Sequence, residues 1–190
     1  MKILEERILK DGKILDGNIL KVDNFLNHQI DSELFMEMAK DFSNHFKDKN
    51  ITKILTVEVS GIAIAFAIAT YLKVPFVFAK KTLSLTLGDN VYTSKVISYT
   101  KNKEYDIRVD KNFLSKDDNV LIVDDFLATG QALNGLIDIC NQAQAKVVGI
   151  AIAIEKVFQD GGNKLRKQGY DVYSQAMIEK FQGNSLVFKK

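Results

Sequence analysis

Apolar residues recur along the chain at spacings that predict short helices and strands. Residues 2–10 carry Ile and Leu at helical spacing, and residues 18–22 form a brief extended piece. Asp31 and Ser32 can cap a following helix. The apolar stripe of that helix consists of Leu34, Met38, Phe42 and Phe46. The first part of the chain is therefore predicted to contain two amphipathic helices with a short extended segment between them.

Further along, strand-like and helix-like runs alternate. Predicted strands cover residues 53–59, 75–80, 120–125 and 147–154, and predicted helices cover 61–72 and 131–143. The strands are apolar on both faces, which is what a parallel sheet covered by helices on each side requires. The single proline, Pro75, marks the start of a strand. This pattern predicts the α/β class, with a mostly parallel sheet of about five strands flanked by helices.

Between residues 80 and 110 the pattern changes. A polar loop of about a dozen residues is followed by two strands around a "KNKE" turn, which predicts an appended antiparallel hairpin. Loops of that length in compact domains are commonly active-site lids or binding loops. Because no linker composition or repeat is present, we expect one domain over residues 1–190. It would include an N-terminal segment, 1–48, and the loop and hairpin insertion, 80–110.

Composition narrows the class of protein. The chain is 46% apolar and 26% charged, with 26 basic and 24 acidic residues. That balance argues against nucleic-acid or membrane partners. Cys140 is the single cysteine and falls in an apolar repeat, so it is predicted to be a core residue. No run is long enough to span a bilayer and no signal peptide is apparent, so a reducing, cytoplasmic location is expected.

The stretch "VDDFLATGQA" (123–132) carries the most chemistry. Asp124 and Asp125 end a buried strand, where the ligands of open α/β sheets bind. Carboxylates there can accept hydrogen bonds from a sugar diol. The small residues that follow can present backbone N–H groups and a helix N-terminus to a phosphate. The alternative is an ordinary strand-turn-helix whose aspartates cap the helix or bind water.

Three other positions have a structural and a functional interpretation. Ser60-Gly61 opens a helix after a strand, either as a second anion-binding turn or as a plain cap. Lys80 and Lys81 are either solvated surface lysines or contacts to a phosphorylated ligand. Lys156, after the buried strand 147–154, either caps the sheet or reaches the same rim as the aspartates.

The strand, the acidic pair and "ATGQA" together resemble the ribose-phosphate signature of the type I phosphoribosyltransferases. The segments 18–31, 56–65, 76–90 and 153–158 extend this resemblance over nearly the whole chain. Some family members keep an aspartate where this chain has Ala128, so the resemblance implies no acid–base chemistry from that position. The implied fold is that of the family, with a small N-terminal hood and a flexible loop.

The resemblance also implies a reaction and a site. The reaction is transfer of a phosphoribosyl group from phosphoribosyl pyrophosphate to N9 of a purine, here xanthine, with release of pyrophosphate in purine salvage. The implied catalytic carboxylates are Asp124 and Asp125; the phosphoribosyl pyrophosphate contacts are Ala128, Thr129, Gly130, Gln131 and Ala132; the pyrophosphate and lid contacts are Ser60, Gly61, Lys80 and Lys81; and the xanthine contacts are Leu20, Asn27 and Lys156. Mg²⁺ is expected to arrive on the pyrophosphate without direct protein ligands, with no organic cofactor, and the chain is expected to be a homodimer.

Three alternatives stay open at this point. A chain of this fold could sense phosphoribosyl pyrophosphate as a regulator, although no DNA-binding segment precedes the domain. A receiver domain also places acidic pairs at strand ends, but it would need them after its first and third strands. Within the enzyme class, adenine, hypoxanthine or guanine could replace xanthine, because base choice depends on a few contacts in the hood.

Overall fold

The computed structural model describes residues 1–81, 90–98, 103–183 and 185–189. The helices are α1 (Lys2–Asp11), α2 (Ser32–His45), α3 (Gly61–Leu72), α4 (Gln131–Gln142) and α5 (Gly161–Lys167). The strands are β1 (Lys13–Leu15), β2 (Ile19–Lys21), β3 (Lys53–Val57), β4 (Phe76–Ala79), β5 (Val91–Ser98), β6 (Lys103–Asp110), β7 (Asn119–Leu127), β8 (Lys146–Lys156), β9 (Val172–Gln182) and β10 (Ser185–Phe188).

A six-stranded sheet in the order β10-β9-β8-β7-β3-β4 forms the centre of the molecule. Its β9, β8, β7, β3 and β4 strands pair in parallel, and β10 adds to β9 as an antiparallel edge. The predicted α/β class and the mostly parallel sheet are therefore confirmed. The additional edge strand comes from the C-terminal region, where the sequence analysis assigned no elements.

Both faces of the sheet are buried, which explains why its strands read as continuous apolar runs. Within β7, Leu121 and Val123 contribute to one hydrophobic core and Val120 and Ile122 to the other. Helices α1, α2 and α3 cover the first face, while α4 and the hairpin cover the second. Cys140 is fully buried in the second core, as predicted.

The N-terminal segment packs as a unit against the first face. Helix α2 begins as predicted, with the Asp31 carboxylate accepting the Leu34 N–H at 3.1 Å. The single extended piece that was expected at 18–22 is instead one half of a hairpin, β1–β2. Asp16 and Gly17 turn this hairpin with φ of 49° and 73°, a left-handed conformation that glycine, asparagine and aspartate adopt more readily than other residues. A π-helical turn, Asp23–Asn27, then leads toward α2.

The predicted second hairpin is present as β5–β6, paired over eight residues on each strand. It lies on α4 so closely that a Cβ on Gly135 would stand 2.7 Å from a Val96 methyl group. Two backbone hydrogen bonds of 2.9 Å between Lys80 and Arg108 fasten the hairpin to the end of β4. The expected lid loop, 82–89, and the turn at 99–102 lie outside the described residues. No helix in the described part of the chain is long and apolar enough to cross a membrane.

Candidate active site

Asp124 and Asp125 lie within β7, which continues to Leu127, two residues beyond the predicted end of the strand. Successive strand residues point to opposite faces, and the two carboxyls differ accordingly in exposure. Asp124 is 5% exposed, whereas Asp125 is half-buried. One carboxylate oxygen of Asp124, Oδ1, accepts the backbone N–H of Asp125 at 3.0 Å, which fixes the orientation of the Asp124 side chain.

Burial dominates the electrostatics of this pair. It raises the pKa of Asp124 well above its usual range, and the neighbouring Asp125 charge raises it further, while the Lys81 ammonium lowers it. Burial also raises the pKa of Asp125, although hydrogen bonds to its carboxylate and the charge of Lys81 act to lower that pKa. Two like charges so close together in a desolvated position disfavour full ionisation. The pair is therefore suited to a ligand that brings hydroxyl donors or positive charge.

The turn after β7 meets Asp124 in one cavity of about 190 Å³. Residues Ala128, Thr129, Gly130, Gln131 and Ala132 all line it. Gly130 has φ of +84°, which bends the chain into α4 and requires a residue without Cβ. The first N–H groups of a helix have no intrahelical acceptor and carry a partial positive charge, so this turn can bind a phosphate.

The hairpin closes another side of the same cavity. Val96 and Ile97 of β5 and Tyr105 of β6 are among its lining residues. Burial and the nearby Asp124 charge raise the pKa of Tyr105, so its phenol keeps its proton and can donate. The place of Tyr105 in the cavity was not predicted, since Tyr92 lies in the same hairpin and no sequence signal distinguishes the two.

Two glycines that the sequence analysis overlooked pack beneath the turn. The Gly161 N–H donates to the Ala128 carbonyl at 3.1 Å, and a Cβ on Gly161 would stand 2.3 Å from that oxygen. A Cβ on Gly162 would stand 2.0 Å from the Glu155 carboxylate. The signal was the "DGG" at 160–162, which marks a place where backbones approach closely.

The second predicted anion-binding turn lies beside the aspartates. Ser60 is the N-cap of α3, and its side chain makes no capping hydrogen bond. A Cβ on the next residue, Gly61, would stand 2.1 Å from the Thr56 hydroxyl and 3.4 Å from Asp124 Oδ1. The structure thus brings the α3 N-terminus close to Asp124, one of the two predicted catalytic carboxylates.

Lys80 and Lys81 face different surroundings. The Lys81 ammonium lies 5.2 Å from the centre of the Tyr105 ring, and its charge acts on both aspartates. Its backbone N–H donates to the Glu58 carboxylate at 2.5 Å. Lys80 instead lines a separate cavity of about 420 Å³, together with Arg108, Asp110 and Phe113. Of the two lysines, Lys81 is the one directed to the aspartate pair.

Of the three predicted base contacts, Leu20 and Asn27 line different cavities of the N-terminal segment, and Lys156 reaches that segment from the end of β8. Lys156 Nζ approaches the Asn18 carbonyl at 3.4 Å and lies 5.7 Å from the Phe181 ring centre. Asn27 lines a cavity of about 410 Å³ with Val59 and Ser60, and its Oδ1 is buried without a hydrogen bond in the described structure. Leu20 is packed in the core of the hood. Asn27 thus adjoins the α3 turn, and Lys156 adjoins the hood.

A larger cavity, about 690 Å³, lies elsewhere, between α1 and α2. Two of its lining charges, Arg7 and Asp31, already pair with each other at 2.6 Å, and Arg7 also contacts Asp11 at 2.5 Å. We therefore place the candidate site at the smaller cavity, which combines the buried Asp124 carboxyl with a turn that can bind a phosphate. In the described residues, no group of three or more His, Cys, Asp or Glu side chains is arranged to hold a metal.

Comparisons with known proteins agree with this geometry. Residues 21–188 match the model of the phosphoribosyl transferase domain family. Xanthine phosphoribosyltransferase of Finegoldia magna is 58% identical over 189 residues, covering 100% of each chain. The enzyme of the same name from Ruminiclostridium cellulolyticum is 54% identical over 188 residues, covering 99% of each.

Solved structures show the same fold. The adenine phosphoribosyltransferase of Giardia lamblia, complexed with 9-deazaadenine, has a TM-score of 0.77 at 25% identity and covers 92% of this chain and 97% of that chain. The adenine phosphoribosyltransferase of Thermoanaerobacter pseudethanolicus has a TM-score of 0.74 at 22% identity, and the match covers 92% of this chain and 99% of that chain. The family match, the full-length identities and the shared fold lead to one conclusion: the chain belongs to the phosphoribosyl transferase family.

Proposed function

We propose that this protein is a pentosyltransferase of purine salvage that transfers the 5-phosphoribosyl group of phosphoribosyl pyrophosphate to N9 of xanthine. The products are xanthosine 5′-phosphate and pyrophosphate. The observation that carries the proposal is that Asp124 and the phosphate-binding turn share one cavity, in a chain 58% identical over its full length to a xanthine phosphoribosyltransferase. A ribose 5-phosphate offers the matching groups, a diol and a phosphate.

In this reaction pyrophosphate leaves the anomeric carbon and positive charge spreads over the ribose ring. Asp124 and Asp125 accept hydrogen bonds from the ribose hydroxyls, and their negative charge stabilises the positive charge on the ring. Their raised pKa values support this role. Without a ligand the ionised form of the pair is unfavourable, so a cationic neighbour stabilises that form strongly. The residues Ala128 to Ala132 hold the 5-phosphate, so that the anomeric carbon stays fixed relative to the carboxylates.

Ser60, Gly61 and at least one of Lys80 and Lys81 bind the leaving pyrophosphate. The position of Gly61 beside Asp124 supports this, because the leaving group departs from the carbon that Asp124 faces. The charge of Lys81 lowers the pKa of both aspartates, so Lys81 is the stronger candidate of the two lysines for contacting the pyrophosphate. Mg²⁺ would be carried by the pyrophosphate itself, where it would neutralise part of the phosphate charge, because hard dications pair with phosphate oxygens.

Leu20, Asn27 and Lys156 contact the purine base and determine which base binds. Burial lowers the pKa of Lys156, so its ammonium is poorly solvated and gains from an anionic or carbonyl partner. The unpaired buried Oδ1 of Asn27 supports the same assignment, because a purine N–H would satisfy it. Xanthine displays N–H and C=O groups side by side, which an amide can match.

We also propose that two copies associate through the apolar surface around α3. Helix α3 is apolar around its circumference, and Val59 and Phe66 are 75% and 60% exposed. Helices of that kind are usually buried. Light scattering on the purified chain would test this, with Phe66→Glu expected to produce monomers. A reducing, cytoplasmic location also remains a proposal, based on the lone, buried Cys140.

One assay tests the proposed reaction. The protein is incubated with phosphoribosyl pyrophosphate and Mg²⁺, xanthine, guanine, hypoxanthine and adenine are offered in turn, and nucleotide formation is measured. Xanthine should have the highest kcat/KM. A higher kcat/KM for another base would leave the fold and the phosphoribosyl site in place and overturn the base assignment. The absence of product with every base would favour a regulator that senses phosphoribosyl pyrophosphate.

A further inference from the structure

A partly buried ion pair between Glu155 and Arg166 lies below the phosphate-binding turn, outside the groups that the proposed reaction uses. The Glu155 side chain is 1% exposed, and Arg166 of α5 donates to both of its oxygens, at 2.8 and 2.7 Å. Ser174 of β9 donates a third hydrogen bond to the same carboxylate. Burial acts to raise the pKa of Glu155, but these hydrogen bonds outweigh it and lower the pKa overall. Glu155 is therefore an anion held in one orientation.

Helix α5 connects this ion pair to the turn. Gly162, in its first turn, is packed so tightly that a Cβ would stand 2.0 Å from Glu155 Oε1 and 2.7 Å from Arg166 Nη1. The preceding residue, Gly161, is packed equally tightly on the other side, against the Ala128 carbonyl and the Thr129 carbonyl carbon. Two neighbouring glycines thus contact the ion pair and the phosphate-binding turn, with no side chain between them.

The orientation of α5 is fixed at its other end as well. The Arg166 guanidinium also donates to the Val172 carbonyl, from Nε at 3.3 Å and from Nη2 at 3.2 Å. The planar fork of arginine can meet a carboxylate and a carbonyl at the same time in one geometry. Rotating or shifting α5 would break these contacts together, so the pair determines where Gly161 sits beneath the turn.

We propose that Glu155 and Arg166 are positioning residues for the 5-phosphate, acting through Gly161 and Gly162 on the turn Ala128–Ala132. The inference rests on the proposed function for the identity of the phosphate. Lys156, the residue after Glu155, points to the opposite face of β8 and approaches the hood. The pair should therefore control the binding of the sugar phosphate and not that of the base.

Kinetics of Glu155→Gln and Arg166→Lys test this separation. Both changes keep the approximate side-chain size, and each removes the two-pronged hydrogen bond. Because displacements of about 1 Å near a reacting centre can cost about 100-fold, we expect the KM for phosphoribosyl pyrophosphate to rise about 10- to 100-fold. The KM for xanthine should stay within about threefold. Arg166→Lys keeps the charge, so a wild-type KM in that variant would show that geometry is not what matters and would overturn the proposal.

The chain offers a matched control for simple loss of stability. Asp118, 8% exposed, pairs with Lys53 at 3.0 Å near the amino ends of β3 and β7, the opposite edge of the sheet from the site. Asp118→Asn removes the same kind of charge as Glu155→Gln. It should lower the melting temperature without changing either KM at a temperature at which the variant stays folded. If Glu155→Gln lowered the melting temperature in the same way and left the KM for phosphoribosyl pyrophosphate within twofold of wild type, the pair would be structural only.

A second variant and a binding assay keep the test independent of folding and of turnover. The three atoms nearest to a Cβ on Gly162 all belong to the ion pair, yet Gly162→Ala should weaken ribose 5-phosphate binding in calorimetry at least tenfold. Unchanged binding by the folded variant would contradict the proposal. Calorimetry needs no product, so failure of the proposed reaction, seen as wild-type protein inactive with all bases, is distinguishable from failure of the positioning role.

Discussion

The Oδ1 atom of Asp124 accepts the backbone N–H of Asp125 at 3.0 Å. This local bond fixes a buried carboxyl at the point where β7 reaches the cavity and sets its neighbour on the other face of the strand. A side chain 5% exposed with a raised pKa destabilises the unliganded protein when it ionises. A buried carboxyl such as Asp124 is typical of active sites, where a group needed for the reaction lowers the stability of the folded protein.

The substitution Asp124→Asn should make the protein more stable and less active. A carboxyl whose pKa is raised on folding contributes its full stabilisation of the folded protein at pH values below its unfolded pKa, about 3.9. That contribution is lost as the pH rises through the folded pKa. Asparagine does not ionise, so its advantage should grow with pH. We expect a higher melting temperature at pH 8, about 2–4 °C for each kcal/mol gained, and a kcat reduced at least tenfold.

Thermal unfolding of wild type and variant at pH 5 and pH 8 measures the first effect, and initial rates measure the second. Xanthine affinity in calorimetry should change little, which separates a loss of turnover from a loss of base binding. A variant less stable than wild type at pH 8 would show that Asp124 is ionised and satisfied in the unliganded protein.

A second prediction concerns the contact between Gly61 and Thr56. A Cβ on Gly61 would stand 2.1 Å from the Thr56 hydroxyl, so Gly61→Ala should displace the α3 turn from Asp124 and lower kcat/KM at least tenfold. Thr56→Ala removes the hydroxyl that the new methyl group meets. The double variant should therefore be more active than Gly61→Ala alone, a coupling that a double-mutant cycle measures. Additive effects would mean that the displaced group is not Thr56.

The sequence predicted the elements whose signals are local. Helix α3 begins at Gly61 and ends at Leu72 as predicted, because its apolar run starts after Ser60 and is followed by Lys73, two residues before Pro75. Of the β1–β2 hairpin, only residues 18–22 were predicted as extended, because strands of three residues carry little pattern. The Asp16-Gly17 pair is the local turn signal that marks the hairpin. Edge strand β10 depends on pairing with β9, which local propensity does not encode.

The site follows the same division. The acidic pair and the turn at Ala128–Ala132 were predicted because strand, charge and small residues are consecutive in the chain. Arg166 and Ser174 were not predicted, because they reach Glu155 from residues 11 and 19 positions away. Nothing in an isolated arginine shows that its partner is a buried glutamate. The sequence therefore indicates the groups that would touch the ligand more readily than the groups that hold them.

The two adjacent lysines should differ in importance. Lys81 acts on Asp124 and Asp125, whereas Lys80 lines the cavity with Arg108 and Phe113. A charge-assisted hydrogen bond is worth about 1.5–3 kcal/mol, so Lys81→Met should raise the KM for phosphoribosyl pyrophosphate about 10- to 100-fold. Lys80→Met, the matched control, should stay within about threefold. The reverse order of effects in steady-state kinetics would assign the pyrophosphate to the Lys80 side of β4.

The last prediction separates the base from the sugar phosphate. Lys156→Ala removes a half-buried ammonium that approaches the hood at the Asn18 carbonyl, and with it about 1.5–3 kcal/mol of charge-assisted hydrogen bonding to xanthine. Calorimetry should show xanthine binding weakened at least tenfold, with phosphoribosyl pyrophosphate affinity nearly intact. Lys180→Ala, which changes an exposed lysine on β9, is the control and should leave both affinities unaltered. If Lys156→Ala bound xanthine as tightly as wild type, base recognition would have to be assigned to the cavity beside Asn27, because its unpaired Oδ1 is the other buried polar group in the predicted base site.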